Sequence, residues 1–268
     1  MTSAAEEVHA FGNAVMFFTR IRVPKGLRWS EQLMQKAAGW YPAVGVIVGF
    51  IAAGVAWLAL RVFPGGPVAA VAATIATLLV TGAFHEDGLA DTCDAFFGAA
   101  EPTRVLEIMK DSRVGSFGAA GLTMVLIAKV ALLSTILLGS GWQRQGHAVM
   151  ALVVGHTVSR AASVSVLRLL TYVRANDAVG AKSKPMATRI SLPRLGFALF
   201  TAALVIGVFV APRRIPMLIG LTALATVTMA VWFRRRIGGY TGDCLGAVQQ
   251  VTEIVVLGVL AAQVTSWN

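Results

Sequence analysis

Asp87, Asp91 and Asp94 follow one another at spacings of four and three residues. On a helix that spacing puts three carboxylates on one face. Like charges on one stripe repel, and full ionisation is tolerated when a cation sits between them. Hard oxygen donors of this kind suit Mg2+, with Mn2+ as the substitute ion, rather than zinc. With Glu86, Glu101, Glu107 and Asp111 they make up more than half of the chain's 13 acidic residues, all within 85–118. A chain so poor in carboxylates has one usual reason to crowd them: a divalent cation and the phosphate groups it handles. Lys110 and Arg113 add phosphate-binding charge. Gly115 and Gly118 open the next apolar stretch, where backbone N–H groups are free to face an anion. The plain alternative is a solvated acidic loop, which has no need of interleaved glycines or a trailing Lys-Asp-Ser-Arg.

A second constellation runs from Gly238 to Gly246, a glycine-rich hairpin with one carboxylate, Asp243. Its glycines permit close backbone approach to a phosphate or a base, so Thr241, Gly242 and Asp243 are candidate substrate contacts and Asp243 a candidate metal ligand. His85 precedes the carboxylates, as a ligand, an acid–base group or a hydrogen-bonding support. Gly88 leaves room for a substrate or a neighbouring helix. His156 and Arg160 are one helical turn apart, and Arg160 is placed to reach a phosphate. Glu253 falls inside an apolar stretch, where an ionisable group is either functional or paired; Lys129 and Arg160 are its candidate partners.

The elements that must carry these residues are membrane helices. The chain is 56% hydrophobic and 13% charged, with mean hydropathy +0.72, whereas a soluble domain carries about 25% charged residues. The expected fold is an all-α polytopic integral membrane protein with about seven transmembrane helices, a cytoplasm-facing acidic helical segment and short interfacial helices. Apolar stretches at 43–60, 67–84, 118–138, 147–170, 196–212, 215–233 and 248–265 are each long enough to cross roughly 30 Å of hydrocarbon. Phe63-Pro64-Gly65-Gly66-Pro67 and 211–216 are turn-like, so their flanking stretches are expected to be antiparallel neighbours. The whole of 1–268 reads as one membrane domain. Residues 1–37 form an interfacial segment in which Phe11, Val15, Phe18 and Ile21 fall near helical spacing; 85–117 is the acidic segment and 234–247 the glycine-rich loop.

Within the acidic segment, 86–97 is expected to continue the second stretch as a helix. A turn at 98–102 follows. A short helix over 102–111 then runs back and delivers Lys110, Asp111 and Arg113 near the start of the first.

The net charge of +10 reflects loop bias, not a nucleic-acid partner. With the N-terminus in the cytoplasm, Arg20, Arg22, Lys25, Arg28, Lys36, Arg104, Lys110, Arg113, Arg168, Arg174, Lys182, Lys184, Arg189, Arg194 and Arg234 to Arg236 fall inside. Arg61, Arg144, Arg213 and Arg214 fall outside, and Lys129 and Arg160 lie within the stretches. Cys93 and Cys244 have neither metal spacing nor a disulfide framework. The first 40 residues lack the apolar core and cleavage site of a signal peptide.

At these motifs the chain resembles a known family. Phe84-His85-Glu86-Asp87-Gly88-Leu89-Ala90-Asp91-Thr92-Cys93-Asp94 is similar to the H-x-D-G-L-A-D-T-x-D signature of cobalamin synthases, the adenosylcobinamide-GDP ribazoletransferases. Met109-Lys110-Asp111-Ser112-Arg113-Val114-Gly115 and Gly239-Tyr240-Thr241-Gly242-Asp243-Cys244-Leu245-Gly246 resemble two further blocks of that family. Phe18-Thr19-Arg20-Ile21-Arg22-Val23-Pro24 resembles a fourth, with Arg22 where the family has a proline. The likeness runs in order from about residue 11 to 258, and is carried over 139–215 mainly by hydrophobic character and Val158-Ser159-Arg160.

The resemblance implies an Mg2+-dependent enzyme of the inner membrane that joins adenosylcobinamide-GDP to α-ribazole, or to α-ribazole 5′-phosphate, and releases GMP. A ribose hydroxyl would attack the phosphoryl group on cobinamide, in line with the leaving group. Asp87, Asp91 and Asp94, with Asp111 or Asp243, would hold the metal. Lys110, Arg113 and Arg160 would steady charge on the phosphate oxygens, and Asp94 or Asp111 would take the hydroxyl proton. Partners are then the two substrates and the lipid bilayer, with a homo-oligomer or a complex with other cobamide-pathway enzymes as open arrangements.

Two rivals remain at this point. Asp87-Gly88-Leu89-Ala90 is similar to the start of the CDP-alcohol phosphotransferase motif, but Asp91 stands where that family has arginine and its downstream aspartate spacing is missing. A divalent-cation or vitamin transporter would need carboxylates along a path across the bilayer, and these cluster at one face.

Overall fold

The computed structural model describes residues 4–63, 65–138, 145–173 and 189–262. Among them the chain forms eleven α-helices and no strand. These are α1 (Ala4–Phe18), α2 (Glu31–Ala37), α3 (Tyr41–Val62), α4 (Gly66–Thr81), α5 (Phe84–Gly98), α6 (Pro102–Ile108), α7 (Ser116–Leu138), α8 (Gln145–Leu169), α9 (Leu192–Phe209), α10 (Ile215–Ile237) and α11 (Gly242–Ala261). Six helices, α2 and α3 being taken together, are long and apolar enough to cross a membrane, and the bent pair α4–α5 raises the number to seven. This is the polytopic helical fold that the apolar stretches predict. Arg144, Arg174, Lys182 and Lys184 of the charge bias, Pro64 of the first turn and the end of the last stretch lie outside the described residues, as does the side chain of His147.

Helix α8 is the axis of the bundle, enclosed by α3, α9 and α11. It approaches α3 closely because Gly45 and Gly49 carry no side chain there. A Cβ on Gly49 would lie 2.5 Å from Val153 Cα, and one on Gly45 would run into His156 O. Small residues serve this purpose in lipid, where the hydrophobic effect does not drive helices together. Outer helices turn Leu79, Met124, Phe200, Val208, Leu224 and Val231 outward, as a lipid-facing surface requires.

One expectation about the backbone fails. The acidic helix does not continue the second span. Gly82 (φ 66°) and Ala83 (φ 57°) both adopt left-handed backbone, and the chain turns by 91° between α4 and α5. At 16 residues, α4 is about 24 Å long, so the corner comes early and lays α5 across the end of the bundle. Arg20 is packed against that corner: its backbone N–H donates to Val80 O at 2.7 Å, and its guanidinium lies where a Cβ on Gly82 would stand. The returning helix is also shorter than expected, ending at Ile108 rather than 111.

The N-terminal segment is well tied down. Phe18 packs with Tyr41, Phe84 and His85. Lys36 pairs with Glu6 at 2.7 Å, and Arg194 at the start of α9 pairs with Glu7. Two apolar clusters fill the interior. One, with Phe18, Tyr41, Phe96, Phe233 and Tyr240, lies toward α5; the other, with Ala52, Ala56, Leu133, Leu152 and Leu257, lies at the opposite end. Along α8 and α11 a polar layer separates them: His156, Ser159 and Arg160 on one helix, Gln249, Gln250 and Glu253 on the other, all buried.

Candidate functional site

Helix α5 is held on three sides. Its C-terminal carbonyls are capped by Arg236 from the end of α10, whose Nη2 donates to Phe96 O at 2.6 Å and to Ala99 O. Toward α7 it meets a stripe of glycines: a Cβ on Gly121 would stand 2.6 Å from Cys93 Sγ, and one on Gly118 would stand 2.8 Å from Ala90 O. Toward α11 two glycines cross. A Cβ on Gly88 would be 2.9 Å from Asp243 O, and one on Gly246 would be 2.9 Å from His85 O. The space that Gly88 leaves is therefore filled by the neighbouring helix.

This packing turns one ridge of α5 away from the bundle. Asp87 is exposed on it, and Asp91 and Asp94 are half-buried. The three expected blocks meet here. Gly88 touches Asp243. Asp94 Oδ2 accepts from Gly115 N–H at 2.7 Å and Oδ1 from Gly118 N–H at 2.7 Å. Thr241 Oγ1 lies 3.6 Å from Met109 Sδ and 3.4 Å from Asp243 Oδ2. The backbone amides at the start of α7 do face an anion, as their position implied, and that anion is Asp94 itself. A carboxylate at a helix N-terminus is stabilised by the free N–H groups and the helix dipole.

Other expected residues have different surroundings. Asp111 and Arg113 pair with each other: Nε donates to Oδ1 at 2.9 Å and Nη2 to Oδ2 at 2.5 Å. The hydrogen bonds from Arg113 hold the Asp111 carboxyl down at about 2. Lys110 is exposed at the end of α6. Thr241 is wholly buried, and its hydroxyl caps α11 by accepting from Cys244 N–H at 3.4 Å. Gly239 packs on Thr171 O, and Tyr240 exchanges backbone bonds with 171–173, so within the glycine-rich loop Gly238 is exposed, Gly242 and Asp243 are half-buried, and the rest is buried. His85 is 2% exposed and stacked on Phe18.

Arg160 is 1% exposed inside the polar layer, and its Nη1 donates to His156 O at 2.9 Å. It lies one turn beyond His156 on a helix enclosed by its neighbours, so it does not reach the exposed ridge. Glu253 takes the partner foreseen, Lys129, at 2.7 Å, with His156 Nδ1 at 3.5 Å.

Sequence reasoning gave no site role to Glu86, Gln249, Gln250 or Arg236. Two consecutive glutamines and a glutamate inside an apolar stretch were the available signal, because amides in a membrane span need partners. Among the described residues no group of three His, Cys, Asp or Glu side chains stands ready to hold a metal ion. Asp87 and Asp91 on α5 and Asp243 at the start of α11 are hard oxygen donors on two helices that touch where Gly88 meets the Asp243 backbone. Mg2+ commonly takes one or two carboxylates and completes its shell with water and substrate phosphate oxygens. In donor chemistry, carboxylates of this kind suit Mg2+ arriving with a phosphate substrate.

The sequence profile of the Cobalamin-5-phosphate synthase family matches residues 10–261. An adenosylcobinamide-GDP ribazoletransferase of Leptothrix cholodnii is 44% identical over 97% of this chain and 98% of its own length. Enzymes of the same name from Shewanella amazonensis and Ralstonia pickettii are 43% and 40% identical, over 97% and 99% of this chain and 97% and 100% of their own lengths. No solved structure matches significantly.

Proposed function

The chain belongs to the Cobalamin-5-phosphate synthase family, and from that premise we propose that it joins adenosylcobinamide-GDP to α-ribazole, or to α-ribazole 5′-phosphate, with release of GMP. The observation that carries this reading is the meeting of three distant blocks, 85–94, 109–118 and 241–246, on one ridge at one end of the bundle.

In the reaction a ribose hydroxyl oxygen bonds to the phosphorus attached to cobinamide, the P–O–P bridge breaks, GMP carries away the bridging oxygen, and the hydroxyl proton is lost. Asp87, Asp91 and Asp243 are the residues that would hold Mg2+. Bound there with the diphosphate, the ion supplies Lewis-acid stabilisation of the leaving phosphate. Arg113, oriented by Asp111 along its Nε–Nη2 edge, keeps Nη1 for a phosphate oxygen, and Lys110 adds charge beside it. The oxygens of Asp94 and Asp111 are engaged, which suits them to hold structure rather than accept a proton. The side chain of Asp87 is exposed and makes no hydrogen bond or ion pair among the described residues, which leaves its carboxylate open to the metal. The ridge faces the cytoplasm of the inner membrane in this reading, supported by the basic residues that collect at the same end, Arg20, Lys110, Arg113 and Arg234 to Arg236.

The test is GMP release by protein in lipid given adenosylcobinamide-GDP, α-ribazole and Mg2+. Release that stops with EDTA and falls at least about a hundredfold in Asp87→Ala supports the site. No release from folded wild-type protein, or an undiminished rate in the variant, overturns respectively the reaction or its location.

A further inference from the structure

Glu86 is the one carboxylate of α5 that points inward. It is 4% exposed, and its Oε1 accepts from Gln250 Nε2 of α11 at 2.9 Å. Gln250 Nε2 also donates to Gln249 Oε1 at 2.8 Å. Gln249 Nε2 in turn donates to Glu253 Oε2 at 2.8 Å and to Ser159 Oγ of α8 at 3.0 Å, and Glu253 pairs with Lys129 of α7 at 2.7 Å. A continuous chain of buried hydrogen bonds thus runs from α7 and α8 through α11 to the first turn of α5. On that same turn His85 stacks on Phe18 from α1, with ring planes 16° apart.

Residues 86 and 87 are about 100° apart around a helix. Fixing the direction of Glu86 therefore fixes that of Asp87, and Asp91 follows one turn on. The crossing of Gly88 and Gly246 sets how close α5 and α11 stand, but two smooth glycine surfaces do not resist rotation. A hydrogen bond in a dry interior does. We propose that Gln250 is a positioning residue: through Glu86 it sets the rotation of α5, and so places Asp87 and Asp91 relative to Asp243 for phosphoryl transfer. The inference rests on the site reading above, but its structural half is measurable without the reaction.

Three variants in lipid test it, each read by kcat and KM, by thermal unfolding, and by maleimide labelling of Cys93 followed at the peptide level. Cys93 lies on α5 with its sulfur against Gly121, so rotation of the helix changes its reach to solvent. Gln250→Leu should lower kcat at least about tenfold with KM for α-ribazole little changed, since small misplacements of reacting groups cost rate steeply. Cys93 labelling should rise severalfold. Glu86→Gln keeps an acceptor oxygen for Gln250 and should stay within about threefold of wild type. Replacing both residues by leucine removes the unsatisfied carboxylate, so stability should return while kcat stays low and labelling fast.

Recovery of kcat together with stability in the double variant would show a purely structural role and overturn the proposal, as would wild-type labelling and kcat in Gln250→Leu. Wild-type protein without GMP release would sink the reaction, while the labelling comparison would still decide whether Gln250 holds α5.

Discussion

Glu86 and Asp87 adjoin in the chain, yet one is locked inside the bundle and the other stands in solvent. Counting carboxylates in the segment could not separate them, because the difference lies in what α11 presents to each. The stripe Asp87, Asp91 and Asp94 was legible from spacing alone, since a helix is the simplest element that puts such a stripe on one face. The partners that Asp94 and Asp111 take were not legible: both depend on where the segment 109–118 folds back. Those partners make predictions at this scale. Asp111 is held at about 2, a depressed carboxylate, so its pairing with Arg113 is complete above the ordinary range and lost only as pH falls through about 2. Asp111→Asn should therefore reduce the rate by loosening Arg113 while the acid limb of the kcat/KM profile against pH stays in place; a displaced limb would make Asp111 the base. Asp94→Ala should cost about 1 kcal/mol through loss of the cap on α7, seen as lower thermal stability in detergent.

Among elements, the informative event is the corner between α4 and α5. Gly82-Ala83-Phe84 reads as uninterrupted apolar helix, so hydropathy carried the second span straight into the acidic segment. What bends the chain is left-handed backbone at two residues, one of them alanine, held by Arg20 reaching across from the N-terminal segment. Such a turn is a tertiary product and leaves little local signature. The spans themselves were legible because in lipid each helix must satisfy its own backbone and expose apolar side chains. The α5–α11 crossing is tight enough to test: Gly88→Ala places a methyl 2.9 Å from Asp243 O. Overpacking of this kind costs about 1–3 kcal/mol, and because it separates the ridge from Asp243 the variant should lose GMP release disproportionately to its stability. Gly54→Ala, where a Cβ meets nothing within 4 Å, is the control and should behave as wild type.

The whole molecule is two apolar layers with a polar one between them. Lys129 and Glu253 are 1% exposed and joined at 2.7 Å, and their pairing was expected because a membrane span seldom holds a lone charge. Removing one partner strands the other. Lys129→Leu or Glu253→Leu alone should each destabilise the fold by about 3–5 kcal/mol, and the two together by much less, measured by unfolding in detergent.

That ion pair also bears on how the protein is made. Lys129 belongs to α7, whereas the carboxylate that neutralises it arrives with α11, after α8, α9 and α10 have left the ribosome. Until then the nascent bundle carries an ammonium group in lipid without its counter-ion. Closure of the interior therefore waits for α11, and a chain cut short before it would retain the unpaired charge by which membrane quality control can single out an unfinished helix.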